Sequence, residues 1–159
     1  FTPFELQQDY FHHHLRLSQT RDLPVIVHSR ECDADLLPML HAAAARGPLR
    51  GVLHSFSSGP EMAEECLALG LHLSFSGAVT YGNKKFEPLR EAARRTPADR
   101  LLVETDSPYL TPHPLRGKEK RNEPAWLVHT VRFLADLRGE PFERLAAQTA
   151  TNARRLFRL

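Results

Sequence analysis

Short apolar segments alternate with longer amphipathic ones along the whole chain. Four of the short segments are rich in β-branched or aromatic side chains: 23–29 (LPVIVHS), 51–56 (GVLHSF), 71–77 (LHLSFSG) and 101–106 (LLVETD). The first of them contains the apolar β-branched run Val25-Ile26-Val27, and such runs are typical of parallel strands that are covered on both faces. Strands that alternate with helices indicate βαβ units and a parallel sheet.

Helix signals lie between and after these strands. Thr2-Pro3-Phe4-Glu5 and Ser58-Gly59-Pro60-Glu61 each match a capping box with proline at the first helical position. The first helix is expected to run to about residue 20, and glycines at 47 and 70 are expected to end the second and third. Further helices are predicted at about 86–95, 124–138 and 142–159, with a proline-rich loop at 111–122.

The residues that close the strands recur at a regular interval. His28 and His54 end the first two strands and lie 26 residues apart, while Gly77 and Asp106 hold the equivalent places on the third and fourth. Units of this length are typical of a (β/α)8 barrel of about 250 residues. Residues 1–159 are therefore predicted to form a single domain that is half of such a barrel. An open four-stranded α/β sheet is the alternative fold.

Three of these strand ends carry residues that can bind a metal. His28, His54 and Asp106 are expected to lie together on one concave face, because the active sites of barrels form at the carboxyl ends of the strands. Two imidazoles and a carboxylate suit a divalent cation such as Zn²⁺ or Mn²⁺. The H-x-H pattern of His12 and His14 is not expected to bind a metal, because residues two apart diverge by about 200° on a helix. His14 is expected on the apolar side of that helix, and His12 on the opposite side.

Composition and charge limit the classes of protein to which this chain can belong. The hydrophobic fraction is 42% and the charged fraction 25%, as in ordinary folded proteins. No apolar run approaches the roughly 18 residues of a membrane span, and no signal peptide is visible, so a cytoplasmic protein without a membrane partner is expected. Cys32 and Cys66 are expected to be reduced thiols. The chain starts at Phe1, from which a natural N-terminus further upstream is expected.

Basic residues gather in the predicted loops at the same end of the sheet as the three metal-competent residues. They are Arg30, Lys84, Lys85, Arg116, Lys118, Lys120 and Arg121. Such a rim favours a phosphate-containing substrate, although a solvated charged loop is the simpler alternative. Arg30 and Arg121 are predicted to contact phosphate, because arginine binds it in bidentate fashion. Tyr109 is predicted either to stack on a base or to pack against the protein.

Several motifs together resemble the TatD family of metal-dependent deoxyribonucleases. They are PVIVHSR, GVLHSF, LLVETDSPYLTP, RNEP and TNARRLF, in family order over essentially the whole chain, and ETDSPYL followed by RNEP is the most specific part. The resemblance implies the C-terminal half of a (β/α)8 TIM barrel of the metal-dependent hydrolase type. It also implies a 3'-5' exonuclease that uses two divalent ions (Mg²⁺, Mn²⁺ or Zn²⁺) on single-stranded or damaged DNA, with no obligate protein partner.

The resemblance also assigns residues. His28 and His54 match the histidine ligands of one metal, and Asp106 matches the aspartate that binds the other metal and helps to activate water. Glu104 is on the same side as Asp106 and is expected to support them. The family's H-x-H pair and bridging glutamate belong to a segment before Phe1. The chain alone is therefore expected to bind metal weakly, to lack robust nuclease activity, and to be unstable or self-associating.

Two other functions remain open at this point. One is a small-molecule amidohydrolase on the same barrel, which a panel of substrates would distinguish from a nuclease. The other is an inactive nucleic-acid-binding fragment, which metal titration combined with an activity assay would identify.

Overall fold

The computed structural model describes residues 2–159, in which helices alternate with four parallel strands. The strands are β1 (Val25–His28), β2 (Gly51–His54), β3 (His72–Phe75) and β4 (Leu101–Val103). The helices are α1 (Phe4–Arg21), α2 (Asp33–Ala44), α3 (Pro60–Ala68), α4 (Glu87–Arg95), α5 (Leu127–Arg138) and α6 (Phe142–Phe157). Short 3₁₀ turns occupy Gly77–Thr80, Lys84–Phe86, Ala98–Arg100 and Pro124–Trp126. Each predicted strand and helix is present.

The strand order decides between the two predicted folds. The sheet runs β1-β2-β3-β4, so every strand pairs with its neighbour in sequence, and all pairs are parallel. A doubly wound sheet reverses its strand order at a switch point, whereas consecutive strands of a (β/α)8 barrel stay in sequence. The observed topology is therefore that of four consecutive barrel units, without the reversal of strand order that a doubly wound sheet has.

The two faces of the sheet have different partners. Successive side chains on a strand point to opposite faces. On one face Val27, Leu53, Leu73 and Leu101 are buried in the main hydrophobic core together with residues of the helices. On the other face Val52 and Leu102 pack with Leu156 of α6 in a small second cluster. His28, His54 and Glu104 follow the register of this second face, so the fold places them together at its carboxyl end.

The outer edge of β1 is open in the part of the chain that the structure describes. Ile26 is 62% exposed there, and an apolar groove runs along this edge between β1 and α1. The apolar face predicted for α1 is accordingly only partly buried: Leu15 is buried, whereas Tyr10 and Leu17 are exposed. Exposed strand edges promote association, so self-association of this chain stays a prediction.

Both predicted capping boxes are wrong. No side chain caps α1, which begins after Pro3, and none caps α3. The hydroxyl of Ser58 instead donates a hydrogen bond to Oδ1 of Asp33, 2.9 Å away, a partner 25 residues distant in sequence. The proline signal is correct at α3, where Pro60 takes the first helical position and its fixed φ favours helix initiation.

No helix within residues 2–159 is long and apolar enough to cross a membrane. Cys32 and Cys66 are both free thiols, as expected. Burial, with smaller contributions from Asp33 and Glu65, raises the pKa of the Cys66 thiol to about 12. Because the thiolate is the reactive form of cysteine, Cys66 is a packing residue of α3 and not a nucleophile.

Gly77 lets the long loop after β4 pack against the turn after β3. A Cβ at this position would lie 2.0 Å from the carbonyl oxygen of Leu110, a distance that no side chain tolerates. The backbone N–H of His113 donates to the hydroxyl of Thr80 over 2.9 Å. These contacts fix the proline-rich loop over the carboxyl ends of the strands, where the predicted site lies.

We therefore predict that Gly77→Ala destabilises the protein by about 1–3 kcal/mol, the usual cost of overpacking a filled site. Gly82→Ala is the matched control, because a Cβ there meets nothing within 4 Å, and it should change the stability by less than about 0.5 kcal/mol. Urea unfolding of both variants measures the difference. Equal stability of the two variants would show that the loop does not pack against Gly77.

Candidate metal centre

One imidazole and two carboxylates meet at the carboxyl end of the sheet. Nδ1 of His54 lies 2.6 Å from Oε1 of Glu104, and Nε2 of the same ring lies 3.3 Å from Oδ1 of Asp106. One potential ligand atom from each of the three residues falls within 4.8 Å of the others. The side chains are partly buried, with exposed fractions of 30% for His54, 18% for Glu104 and 32% for Asp106.

The backbone explains why these residues meet. His54 is the last residue of β2. β4 ends at Val103, three residues earlier than predicted, but the N–H of Glu104 still donates to the carbonyl of Phe75 on β3 over 3.1 Å. The carbonyl of Asp106 then accepts a hydrogen bond of 2.7 Å from the N–H of Tyr109, which closes a turn. Ordered backbone on both sides therefore holds the two carboxylates.

The cluster fits a divalent cation. Two ligands of a tetrahedral ion, each about 2.0–2.2 Å from it, are about 3.4 Å apart, close to the 3.3 Å between Nε2 of His54 and Oδ1 of Asp106. Oε1 of Glu104 is buried and has no hydrogen-bond partner among the described residues. A positive charge at this cluster would offset the repulsion between the two carboxylates.

His28 lies beside the cluster rather than in it. It is paired with His54 across the β1–β2 ladder, and the two rings are tilted by 41° with centroids 5.9 Å apart. His28 is exposed, and it lines the open groove along β1. The structure thus brings His54 and Asp106 together as predicted, and it adds Glu104 to them. His28 lies outside this group, with its ring next to that of His54.

The predicted substrate-binding residues occupy loops at the same end of the sheet. Arg30 follows β1 and is exposed. Tyr109, in the loop after β4, is 70% exposed, which argues against the packing role considered for it. Arg121 is exposed in the same loop. Asn122 Nδ2 donates to the carbonyl of Tyr109 over 2.7 Å, so the two ends of this loop are joined.

Arg116 makes a contact that the sequence did not predict. Its guanidinium group lies 3.4 Å from the centroid of the Tyr81 ring, which is itself buried. Burial raises the pKa of Tyr81, so the ring stays neutral beneath the cation. Tyr81 precedes Arg116 by 35 residues, and only the folded loop brings them together. Stacking leaves the N–H groups of Arg116 free to bind an anion.

The histidines outside the cluster behave differently from one another. His12 and His14 lie on α1, which confirms the predicted helix, and the ring of His14 contacts the carbonyl of Tyr10 at 2.7 Å. His14 lines the apolar groove, on the side predicted for it, but it is exposed. That His12 and His14 bind no metal together stays a prediction.

His72 opens β3, at the end of the sheet opposite the cluster. It is 4% exposed, and neither ring nitrogen has a hydrogen-bond partner within the described chain. Burial lowers the pKa of His72 below its ordinary value of 6.5; Arg100 and Arg155 lower it further, while the nearby backbone of Gly51 and, more weakly, Asp99 oppose them. His72 is therefore a neutral core residue with no role in the metal centre.

A histidine whose pKa is lower in the folded state than in the unfolded state contributes stability at high pH and loses it as the pH falls. We predict that stability declines between pH 6.5 and the lower folded-state pKa of His72, and that His72→Leu removes this part of the decline. At neutral pH the variant should be at least as stable as wild type, because a buried polar ring is replaced by an apolar side chain. His13→Leu, at an exposed position, is the control. An unchanged pH dependence in H72L would contradict the assignment.

A parallel sheet in sequential order, with an imidazole and carboxylates at its carboxyl end, is the arrangement of barrel-type metal-dependent hydrolases. The sequence pattern of the family described as TatD related DNase matches residues 1–158, and the chain belongs to this family. The predicted fold, an α/β chain that forms part of a TatD-type barrel, is confirmed by the similarity to solved structures.

Three comparisons give the scale of this similarity. The metal-dependent hydrolase YcfH of Escherichia coli K12 is 46% identical over 153 residues, which are 96% of this chain and 56% of that protein. The 3'-5' ssDNA/RNA exonuclease TatD of Pectobacterium carotovorum is 40% identical over 161 aligned residues, 100% of this chain and 61% of that protein. The crystal structure of the E. coli TatD homolog YJJV superposes with a TM-score of 0.86 at 31% identity, covering 98% of this chain and 58% of that one. The chain thus spans somewhat less than two thirds of the length of these relatives.

Proposed function

We propose that the protein hydrolyses phosphodiester bonds of DNA with the help of divalent metal ions. The observation that carries this proposal is the placement of Nε2 of His54 and Oδ1 of Asp106 3.3 Å apart at the carboxyl end of the sheet. The name of the Pectobacterium relative supports a nucleic-acid substrate, single strands and 3'-5' polarity. Because the chain covers 56% of YcfH and 61% of that relative, the proposal concerns the whole protein.

The metal centre is proposed to use His28, His54 and Asp106 as ligands, within a site that holds two ions in the complete protein. A bound ion supplies Lewis acidity and makes a water molecule acidic enough to act as a nucleophile. Asp106 is proposed to orient that water and to accept its proton, since its carboxylate is partly exposed next to His54. The imidazole of His54 remains neutral when it acts as a ligand.

The loops around the centre are proposed to bind the nucleic acid. Arg30, Arg116 and Arg121 are exposed cations at this end of the sheet, and guanidinium groups bind phosphate oxygens in bidentate fashion. Arg116 is already oriented by its stacking on Tyr81, so less conformational entropy is lost when it binds. Tyr109 presents an exposed ring on which a base can stack.

The test is the cleavage of end-labelled single-stranded DNA by the complete protein with Mg²⁺ or Mn²⁺. Asp106→Asn keeps the size of the side chain but removes its charge and its capacity to accept a proton, so we expect a loss of about 10²–10⁴-fold. Asp99→Asn, at the opposite end of β4, is the control and should retain wild-type cleavage. Cleavage by D106N within a few-fold of wild type would refute the proposed role of Asp106.

A further inference from the structure

We propose that Glu104 is a positioning residue, which holds the imidazole of His54 so that Nε2 faces Asp106 and the cation. This inference rests on the proposed metal centre, and it goes beyond the ligand set His28, His54 and Asp106. It assigns a separate role to each of the two carboxylates: Asp106 contacts the ion, and Glu104 acts through His54.

The geometry of the ring separates the two roles. Nδ1 and Nε2 point away from each other, so one imidazole can contact a carboxylate with one nitrogen while it binds a metal with the other. Oε1 of Glu104 is 2.6 Å from Nδ1, whereas Oδ1 of Asp106 is 3.3 Å from Nε2. While Oε1 remains against Nδ1, it lies on the wrong side of the ring to coordinate an ion held by Nε2.

The surroundings of Glu104 suit such a role. Its side chain is the least exposed of the three, and its backbone is tied to Phe75 on β3. Oε1 is buried and accepts no aligned hydrogen bond from the described residues. A buried carboxylate oxygen without a donor is costly, and Nδ1 of His54, 2.6 Å away, can become that donor when it carries the proton. A carboxylate on the second nitrogen of a metal-binding histidine fixes its tautomer and raises its basicity.

Two other roles for Glu104 predict different behaviour. As a direct ligand, it would contribute to metal affinity as strongly as Asp106, and its loss would leave the tautomer of His54 unchanged. As a purely structural residue, it would affect thermal stability but not the affinity of the folded protein for metal. The positioning role predicts that both the tautomer and the affinity change while the fold persists.

The experiment uses the complete protein and its variants Glu104→Ala, Glu104→Gln and Asp106→Asn. Glu119→Gln, an exposed position in the loop after β4, is the matched control. The imidazole ¹⁵N shifts of His54 are measured in metal-free protein at a pH where the ring is neutral and are assigned with His54→Asn. Zn²⁺ and Mn²⁺ affinities are measured by calorimetric titration, and thermal melting verifies that each variant is folded.

We expect Nδ1 of His54 to carry the proton in the wild type and in E119Q, and the proton to shift toward Nε2 in E104A. The metal affinity of E104A should fall about 10–100-fold, less than that of D106N. E104Q should retain the tautomer, because its amide oxygen still accepts a hydrogen bond, and should lose less affinity than E104A. A wild-type tautomer in E104A, or an affinity equal to that of wild type or of D106N, would overturn the inference.

Failure of the proposed function would give a different combination of results from failure of the positioning role. If the wild-type protein shows the expected tautomer and metal affinity but does not cleave DNA, the nuclease proposal fails and Glu104 keeps its role. If the expected affinity differences are found while the tautomer of His54 is the same in wild type and E104A, the metal centre stands and the positioning role fails.

Discussion

Two carboxylates held against opposite sides of one imidazole are the central constraint on this structure. Like charges this close repel each other, and the repulsion is stronger in a partly buried site than in water. The remainder of the fold must therefore fix Glu104 and Asp106 beside His54 at some cost, which the proposed divalent cation would offset. Functional sites commonly concentrate arrangements that lower the stability of the empty protein but favour the bound ligand.

The sheet provides the necessary rigidity. Strands in sequential parallel order bring the carboxyl ends of β1, β2 and β4 to the same edge, with β3 between β2 and β4. The main core buries one face of every strand, so the backbone positions next to the site have little freedom. The contact of Leu110 with Gly77 in turn fixes the loop that carries Tyr109, Arg116 and Arg121. The proposed metal centre thus depends on the ends of the strands, whereas Arg116 and Arg121 of the proposed substrate-binding surface depend on one anchored loop.

Much of the fold was predictable from the sequence, because strands and helices follow from local patterns. The proximity of His54 and Asp106 was predictable, because each lies at or just after the carboxyl end of a predicted strand. Pairings between distant residues were not: Ser58 hydrogen-bonds Asp33 instead of capping α3, and Arg116 stacks on Tyr81. The exposed face of α1 was also missed, because helical periodicity shows which side is apolar but not whether anything covers it.

The position of Glu104 was predictable from the sequence only in part. Its spacing of two from Asp106 predicted a shared side, but its partner, Nδ1 of His54, is 50 residues away in sequence and is set by the β2–β3–β4 register.

The central claim, that Nε2 of His54 and Asp106 share a cation, is tested most directly by anomalous diffraction from crystals of the protein grown with Mn²⁺ or Zn²⁺. The account predicts an anomalous peak in contact with both atoms. A fully occupied peak elsewhere, with this pair in contact with no ion, would contradict it.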